Sequence, residues 1–188
     1  MNKYLRGIVG VPLAEVKYII LKIFHIRKFS GKFPAILSPL TEITVEKNSS
    51  LHIGRKLKMH NGAKIRVRKN AEVKIGDNFG MSNGCVVTSY EKIQIGNDVM
   101  LGPNVLIYDQ DHDYSLEVGG VKAMKFVTTP ISIGNNVWIA ANSVILRGTT
   151  IGDNVVIAAG SIVKGNIPSN TVYIQKRKTE LCSIGKRD

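Results

Sequence analysis

The chain has 188 residues, of which 44% are hydrophobic, and its 26 Lys and Arg against 14 Asp and Glu give a formal net charge of +12. This hydrophobic content excludes a disordered chain, and 6% aromatic residues together with 18 glycines favour stacked short strands over a helical bundle. The positive charge attracts anions, but the basic residues are not interleaved with aromatic ones, so no nucleic-acid partner is expected. Two cysteines, Cys85 and Cys182, are too few for a disulfide framework and predict a cytoplasmic protein.

Residues 1–40 differ in composition from the rest of the chain and are predicted to form an N-terminal helix and a linker. The segment Leu13–Phe29, LAEVKYIILKIFHIRKF, is amphipathic and basic, with Pro12 near the expected helix start. Two roles are open for this helix. It can cap the open end of a stacked-repeat domain, which is the preferred interpretation, or it can lie on an anionic membrane at the inner face.

A six-residue repeat dominates the middle of the chain. From Ile133 an aliphatic residue recurs at every sixth position as far as Val163, and the same pattern appears upstream from Ile95, from Ile75 and, less regularly, from Ile53. A period of six fits neither a helix nor a simple hairpin. Each block supplies one short strand and one corner rich in Asn, Asp and Gly, which tolerate positive φ. Three blocks close one coil, and stacked coils bury the aliphatic column.

The repeat is interrupted at two places. Ile75 and Ile95 are 20 residues apart, which predicts a small corner insertion at Ser89–Lys92. Between Ile107 and Ile133 the repeat fails completely, which predicts a protruding loop over residues 108–130. Such loops on a rigid scaffold usually carry function. A coil domain is therefore expected over residues 41–174, followed by a basic tail over residues 175–188.

The repeats, the His-bearing segment VLIYDQDHDYS and the blocks IGNNVWIAANSVI and IGDNVVIAAGSIV resemble the hexapeptide-repeat acyltransferases over roughly residues 50–168. The similarity is to the branch of maltose, xenobiotic and capsular-polysaccharide O-acetyltransferases. It implies an all-β fold, a left-handed parallel β-helix, and a homotrimer with active sites between subunits. It also implies acetyl-CoA as the acyl donor and no metal.

His112 is the expected catalytic base. A hydroxyl attacks a thioester only when a base removes its proton, and the ordinary pKa of histidine suits that task. Of the four histidines, only His112 lies where the repeat breaks, and it matches the catalytic His of the family. The second ring nitrogen needs an anchor. Asp109, which matches an Asp of the family, is preferred, with Asp111, Asp113 and a backbone carbonyl as alternatives.

The resemblance also implies residues on the coenzyme side. Gly102 follows Leu101 at a corner, where backbone N–H groups could stabilise the developing oxyanion. Small residues would admit the pantetheine arm: Gly102, Ala141, Ala159 and Gly160. Basic residues would meet the coenzyme: Lys164, Lys176 and Arg177. Lys164 is displaced by one position from the Lys of the family, and the usual Gly-x-Pro-Ala-Lys/Arg element of the C-terminus is absent.

The acceptor side rests on three residues. The segment NFGMSNGC resembles the one that supplies an acceptor-binding Asn in the family, at Ser82 or Asn83, and Trp138 matches a Trp near the groove. The basic helix and net charge favour a carbohydrate hydroxyl of a bacterial capsule or lipopolysaccharide. Transfer to a nucleotide-linked amino sugar or to a xenobiotic is the alternative. Two other classes share such a coil. A γ-type carbonic anhydrase would need three zinc-binding histidines, and only His112 lies near the matching region. A non-catalytic scaffold or binding protein is distinguished by a His112→Ala variant, because its function would not depend on this histidine.

Overall fold

The computed structural model describes residues 3–25, 28–176 and 178. In this part of the chain one helix, α1 (Lys3–Phe24), is followed by short strands that wind into a coil with three flat faces. Arg177, Cys182 and most of the predicted basic tail lie outside the described residues.

Each face of the coil is one parallel sheet. Face A contains β1 (Phe29–Gly31), β4 (Ser50–Ile53), β7 (Glu72–Ile75), β10 (Lys92–Ile95), β15 (Ile131–Ile133), β18 (Thr150–Ile151) and β21 (Asn166–Ile167). Face B contains β2 (Ala35–Leu37), β5 (Leu57–Met59), β8 (Gly80–Met81), β11 (Met100–Leu101), β16 (Val137–Ile139), β19 (Val155–Ile157) and β22 (Val172–Tyr173). Face C contains β3 (Glu42–Val45), β6 (Lys64–Val67), β9 (Val86–Ser89), β12 (Leu106–Tyr108), β17 (Val144–Ile145) and β20 (Ile162–Val163).

The strands stack in register, so that the aliphatic residues of the repeat form continuous columns inside the coil. Ile93 pairs with Val73 below and with Ile131 above, and all three are buried. The predicted left-handed parallel β-helix is confirmed. The coil begins at Phe29, however, earlier than the predicted boundary at residue 41. The first strands were missed because they precede the recognisable repeats.

Gly and Asn at the corners between faces A and B explain why the blocks read IGxN. A Cβ on Gly76 would lie 2.6 Å from the carbonyl oxygen of Gly96 in the next coil. The Asn of each block comes two positions after its Gly. In later blocks these are Asn136 and Asn154, which have φ of 53° and 57°, and Asn136 Nδ2 donates to Asn154 Oδ1 at 2.9 Å. The small residue lets coils approach, and the amide links them at a backbone conformation that most residues avoid.

Coil length varies only at the corners between faces C and A. Successive coils measured from Ile53 to Ile75 and from Ile75 to Ile95 span 22 and 20 residues, whereas the coil from Ile133 to Ile151 spans 18. The predicted insertion at Ser89–Lys92 lies at one of these corners, as the bend between β9 and β10.

Helix α1 closes the lower end of the coil, which is the preferred role predicted for it. Ala14 and Tyr18 are buried in the core, and the Tyr18 ring meets Phe29 edge-on at 5.2 Å. Lys17 Nζ donates to the Thr41 carbonyl at 2.5 Å, and burial lowers the pKa of this lysine. The helix starts ten residues earlier than predicted and contains Pro12 in its interior. No helix in the described ranges is long and apolar enough to span a membrane.

Candidate active site

The predicted loop leaves the coil after β12 and returns at Ile131. Its two ends form an antiparallel hairpin, in which β13 (Gln110–His112) pairs with β14 (Phe126–Thr128) and His112 lies opposite Phe126. Two short 3-10 turns, Leu116–Val118 and Val121–Ala123, fill the space between these strands. The hairpin carries His112 outward from a corner between faces C and A.

An aromatic stack supports the His112 ring. The ring centroids of His112 and Phe126 are 4.7 Å apart, and Phe126 in turn lies 4.4 Å from Tyr90. The His112 side chain is exposed and borders a cavity of about 340 Å³, together with Asp111, Tyr114, Ser115, Arg147 and Lys164. Sequence reasoning missed Phe126 and Tyr90, although Tyr90 stands inside the predicted insertion.

Asp109 does not contact His112, contrary to its predicted role as the anchor of the ring. This carboxylate is fully buried and accepts hydrogen bonds from Ser89 Oγ at 2.6 Å and from three backbone N–H groups at 2.7–3.0 Å, those of Tyr90, Glu91 and Lys92. Burying a carboxylate is costly unless its lone pairs are used, and these four donors occupy both oxygens. Asp109 therefore fixes the corner that carries Tyr90, whose ring stacks on Phe126 beneath His112.

The two alternative anchors are engaged as well. Asp111 Oδ2 lies 2.6 Å from Arg147 Nε, and Arg147 Nη1 also donates to Thr129 Oγ1 at 3.1 Å. Asp113 Oδ1 accepts the backbone N–H of Ser115 at 3.0 Å. Within the described ranges, neither ring nitrogen of His112 has a hydrogen-bond partner. Arg147 was not predicted, and it joins both strands of the hairpin to the coil.

The coenzyme-side residues lie on a different edge of the coil. The small ones form one column at the corners between faces B and C, which also contains the acceptor-side candidates Ser82 and Asn83: Ser82, Asn83, Gly102, Ala141, Ala159 and Gly160. The Gly102 N–H donates to the Ile139 carbonyl at 2.8 Å, so it is not available to an oxyanion, contrary to prediction. A Cβ on Gly102 would lie 2.7 Å from the Ala141 nitrogen, so this glycine serves the close stacking of coils.

Two N–H groups in this column have no internal acceptor. In the part of the chain that the structure describes, the backbone N–H groups of Ala141 and Ala159 donate to nothing. The Ala141 carbonyl accepts the N–H of Gly160 at 2.8 Å, which holds the two coils together at this point. A pair of small residues with free N–H groups can bind an extended chain that carries amide carbonyls.

One chain does not bring the whole predicted site together. Ala141 and Arg147 lie at opposite ends of face C, six residues apart, which is up to about 20 Å along an extended strand. Lys164 lies beside His112 rather than with the alanine column. Trp138 is half exposed on face B, in a shallow cavity with Met100 and Val156. Lys176 is exposed near the C-terminal end of the coil.

No metal centre is apparent among the residues that the structure describes, since none of their His, Cys, Asp and Glu side chains form a group of three or more suited to an ion. The lining of the cavity beside His112 includes carboxylates and two cations, Arg147 and Lys164.

The comparisons with known proteins agree with this fold. The family model for the bacterial transferase hexapeptide (six repeats) matches residues 130–165. The chain is similar to a maltose O-acetyltransferase from Clostridium difficile 630 of known structure, with 32% identity, coverage of 84% of this chain and 71% of that one, and a TM-score of 0.56.

Two curated relatives from Escherichia coli K12 are also similar. The galactoside O-acetyltransferase is 40% identical over 97 residues, which cover 52% of this chain and 47% of the relative. The putative lipopolysaccharide biosynthesis O-acetyl transferase WbbJ is 27% identical over 141 residues, 68% of this chain and 69% of the relative. The chain spans about half the length of most curated relatives that it matches.

Proposed function

The chain belongs to the hexapeptide-repeat acetyltransferases, and from this premise we propose that it transfers an acetyl group from acetyl-CoA to a sugar hydroxyl, with His112 as the general base. The observation that carries the proposal is the position of His112. It is exposed at the outer end of the outgoing hairpin strand, supported by Phe126, and borders a cavity.

The proposed reaction is a single acyl transfer. His112 removes the proton from the acceptor hydroxyl as its oxygen attacks the thioester carbonyl carbon, and the C–S bond breaks as the ester forms. The imidazolium then returns the proton to the leaving coenzyme A thiolate. The free N–H groups of Ala141 and Ala159 are suited to the amide carbonyls of the pantetheine arm, and Lys176 is a candidate for the coenzyme phosphates.

The distance between the His112 cavity and the column of Ala141 and Ala159 supports a homotrimer with an active site between subunits. His112 and the alanine column lie on different edges of one coil, so they can face each other only across a boundary between chains. The outward surface of the coil supports the same arrangement. Face A presents polar residues, whereas face B presents Met100, Trp138, Val156 and Val172. Face C also presents an exposed apolar residue, Ile162, and apolar outward residues favour burial against a second copy.

A surface polysaccharide is the proposed acceptor, capsular or lipopolysaccharide, acetylated in the cytoplasm at the inner face of the membrane. The similarity to WbbJ, described as acting in lipopolysaccharide biosynthesis, supports this choice. Asn83, Ser82 and Trp138 remain candidates for contacts with the carbohydrate. Arg147 and Lys164 beside His112 suit an acceptor with an anionic group.

The test combines an acceptor screen with one variant. The purified chain is incubated with acetyl-CoA and maltose, galactosides or fragments of bacterial surface glycans, and acetylated products are detected by mass spectrometry. With the best acceptor, His112→Ala is expected to lower kcat by about 10²- to 10⁴-fold. The matched control is His52→Ala, because His52 lies on face A, away from the cavity, and its ring is hydrogen-bonded to Ser30 Oγ at 2.9 Å. A His112→Ala rate near that of the wild type would refute the mechanism.

A further inference from the structure

Helix α1 has a second apolar face that points away from the coil. At 100° per residue, the residues on this side form one continuous stripe: Ile8, Val9, Pro12, Val16, Ile19, Ile20, Ile23 and Phe24. Their exposure is high, with 72% for Ile8, 62% for Ile23 and 77% for Phe24. We call this stripe the outer face of α1. A helix that is apolar on both sides is normally buried on both sides, so the outer face needs a partner.

Basic residues border the C-terminal end of the outer face. A groove of about 500 Å³ is lined by Ile23, Phe24, His25, Lys28, Lys47 and Asn48, and no carboxylate is among its lining residues. Lys28 Nζ lies 3.3 Å from Asn48 Oδ1, which leaves most of its donor capacity for another acceptor. Lys22 is exposed on the side of the helix beyond Ile19. The groove thus combines an apolar wall with two ammonium groups. This combination is complementary to the acyl chains and the phosphate of a phospholipid at a membrane surface.

We propose that the outer face of α1 docks on an anionic lipid membrane. The apolar side chains would enter the boundary between headgroups and acyl chains, and Lys28 and Lys47 would bind lipid phosphates. A second copy of the chain fits this face less well. A symmetric contact would bring two sets of the same lysines together, and Glu15 is the only carboxylate in α1 to offset them. The inference does not rest on the proposed chemistry.

The test is flotation of the full chain with lipid vesicles, without substrate. Vesicles of phosphatidylcholine alone are compared with vesicles that also contain phosphatidylglycerol, at low and high salt. Binding is expected only with the anionic lipid, and it is expected to weaken as salt screens the lysines. Absence of binding, or equal binding to both kinds of vesicle, would overturn the proposal.

Two variants separate the apolar and the charged contributions. Ile19→Gln with Ile23→Gln is expected to abolish flotation, and the matched control is Leu116→Gln with Val121→Gln, two exposed apolar residues on the hairpin loop. Lys47→Glu is expected to lower the partition coefficient at least about five-fold, because each lysine near an anionic surface contributes roughly that factor. Lys122→Glu is its control, since Lys122 is also exposed but lies on the loop.

Circular dichroism and light scattering complete the test. The helix spectrum and the thermal midpoint should be unchanged in all variants, because the substituted side chains face solvent. If Ile19→Gln with Ile23→Gln still floats, or if it lowers the mass of the assembly, the outer face is not a lipid surface and the proposal fails. An acetyl-transfer assay in solution is scored separately, so loss of membrane binding and loss of catalysis remain distinguishable.

Discussion

Arg147 Nε lies 2.6 Å from Asp111 Oδ2, and this contact ties the strand that bears His112 to the coil that follows the loop. The same guanidinium donates to Thr129 Oγ1, immediately after the returning strand β14. Both ends of the hairpin are therefore held by one side chain, which is itself only 25% exposed. A displacement of about 1 Å from the productive position can cost a general base most of its effect, so this contact bears directly on the proposed reaction.

Arg147→Ala is expected to lower kcat/KM by about 10- to 100-fold, because the hairpin loses its cross-link and His112 loses its fixed position. Asp111→Ala should have a similar effect, and the double variant should be no worse than either single one. Steady-state kinetics of the three variants measure this coupling. Arg55→Ala, which breaks a more exposed ion pair with Asp77, is the matched control and should change kcat/KM little. Additive effects of the Arg147 and Asp111 substitutions would contradict this account.

Asp109→Asn is expected to destabilise the fold by about 2–4 kcal/mol, because an amide cannot accept all four hydrogen bonds of the buried carboxylate. Chemical unfolding measures the loss. Asp113→Asn, which affects one bond to the Ser115 N–H, is the control and should cost less than about 1 kcal/mol. Were Asp109→Asn to remove activity while leaving stability intact, the carboxylate would have a direct catalytic role instead.

Gly102→Ala is expected to destabilise the coil by about 1–3 kcal/mol, since the added methyl group would lie 2.7 Å from a backbone nitrogen of the next coil. The control is Gly80→Ala in strand β8 of face B, where the nearest atom is the flexible Met100 sulfur at 3.1 Å. Thermal unfolding of both variants provides the comparison. Equal midpoints for the two would show that Gly102 is not needed for close stacking.

Cys85 is expected to be unreactive while the protein is folded. Its thiol is buried and donates to the Gly102 carbonyl at 3.0 Å, and burial raises the pKa of this thiol. In a Cys182→Ser variant, a thiol reagent at neutral pH should label Cys85 only after denaturant is added. Labelling at the same rate with and without denaturant would place the thiol at the surface.

The same thiol gives a pH dependence with a defined sign. Above its ordinary pKa of about 8.5 the unfolded chain loses a proton that the folded chain keeps, so the free energy of unfolding should fall as pH rises. Below that pH both states hold the proton and Cys85 contributes no slope. Urea unfolding of the wild type and of Cys85→Ala between neutral and alkaline pH should show the slope reduced in the variant.

Much of the fold could be predicted from the sequence because the repeat is local. The blocks from Ile133 to Val163 indicate strands, corners and an inward column by their own residues, and the gap after Ile107 locates the hairpin and His112. The early coils were harder to recognise, since their corners between faces C and A are longer and interrupt the six-residue period of the sequence. The start of the coil at Phe29 was missed for the same reason.

What the sequence determined by itself is the coil, its interruption and the histidine at that interruption. Only the tertiary structure decided which side chains support that histidine. Asp109 meets Ser89 across 20 residues, and Arg147 meets Asp111 across 36. Neighbours in a solenoid are separated by one coil, and coil length changes at the very corners where these residues lie. No fixed spacing in the sequence therefore reveals the pairs, and stacking of the coils alone brings them into contact.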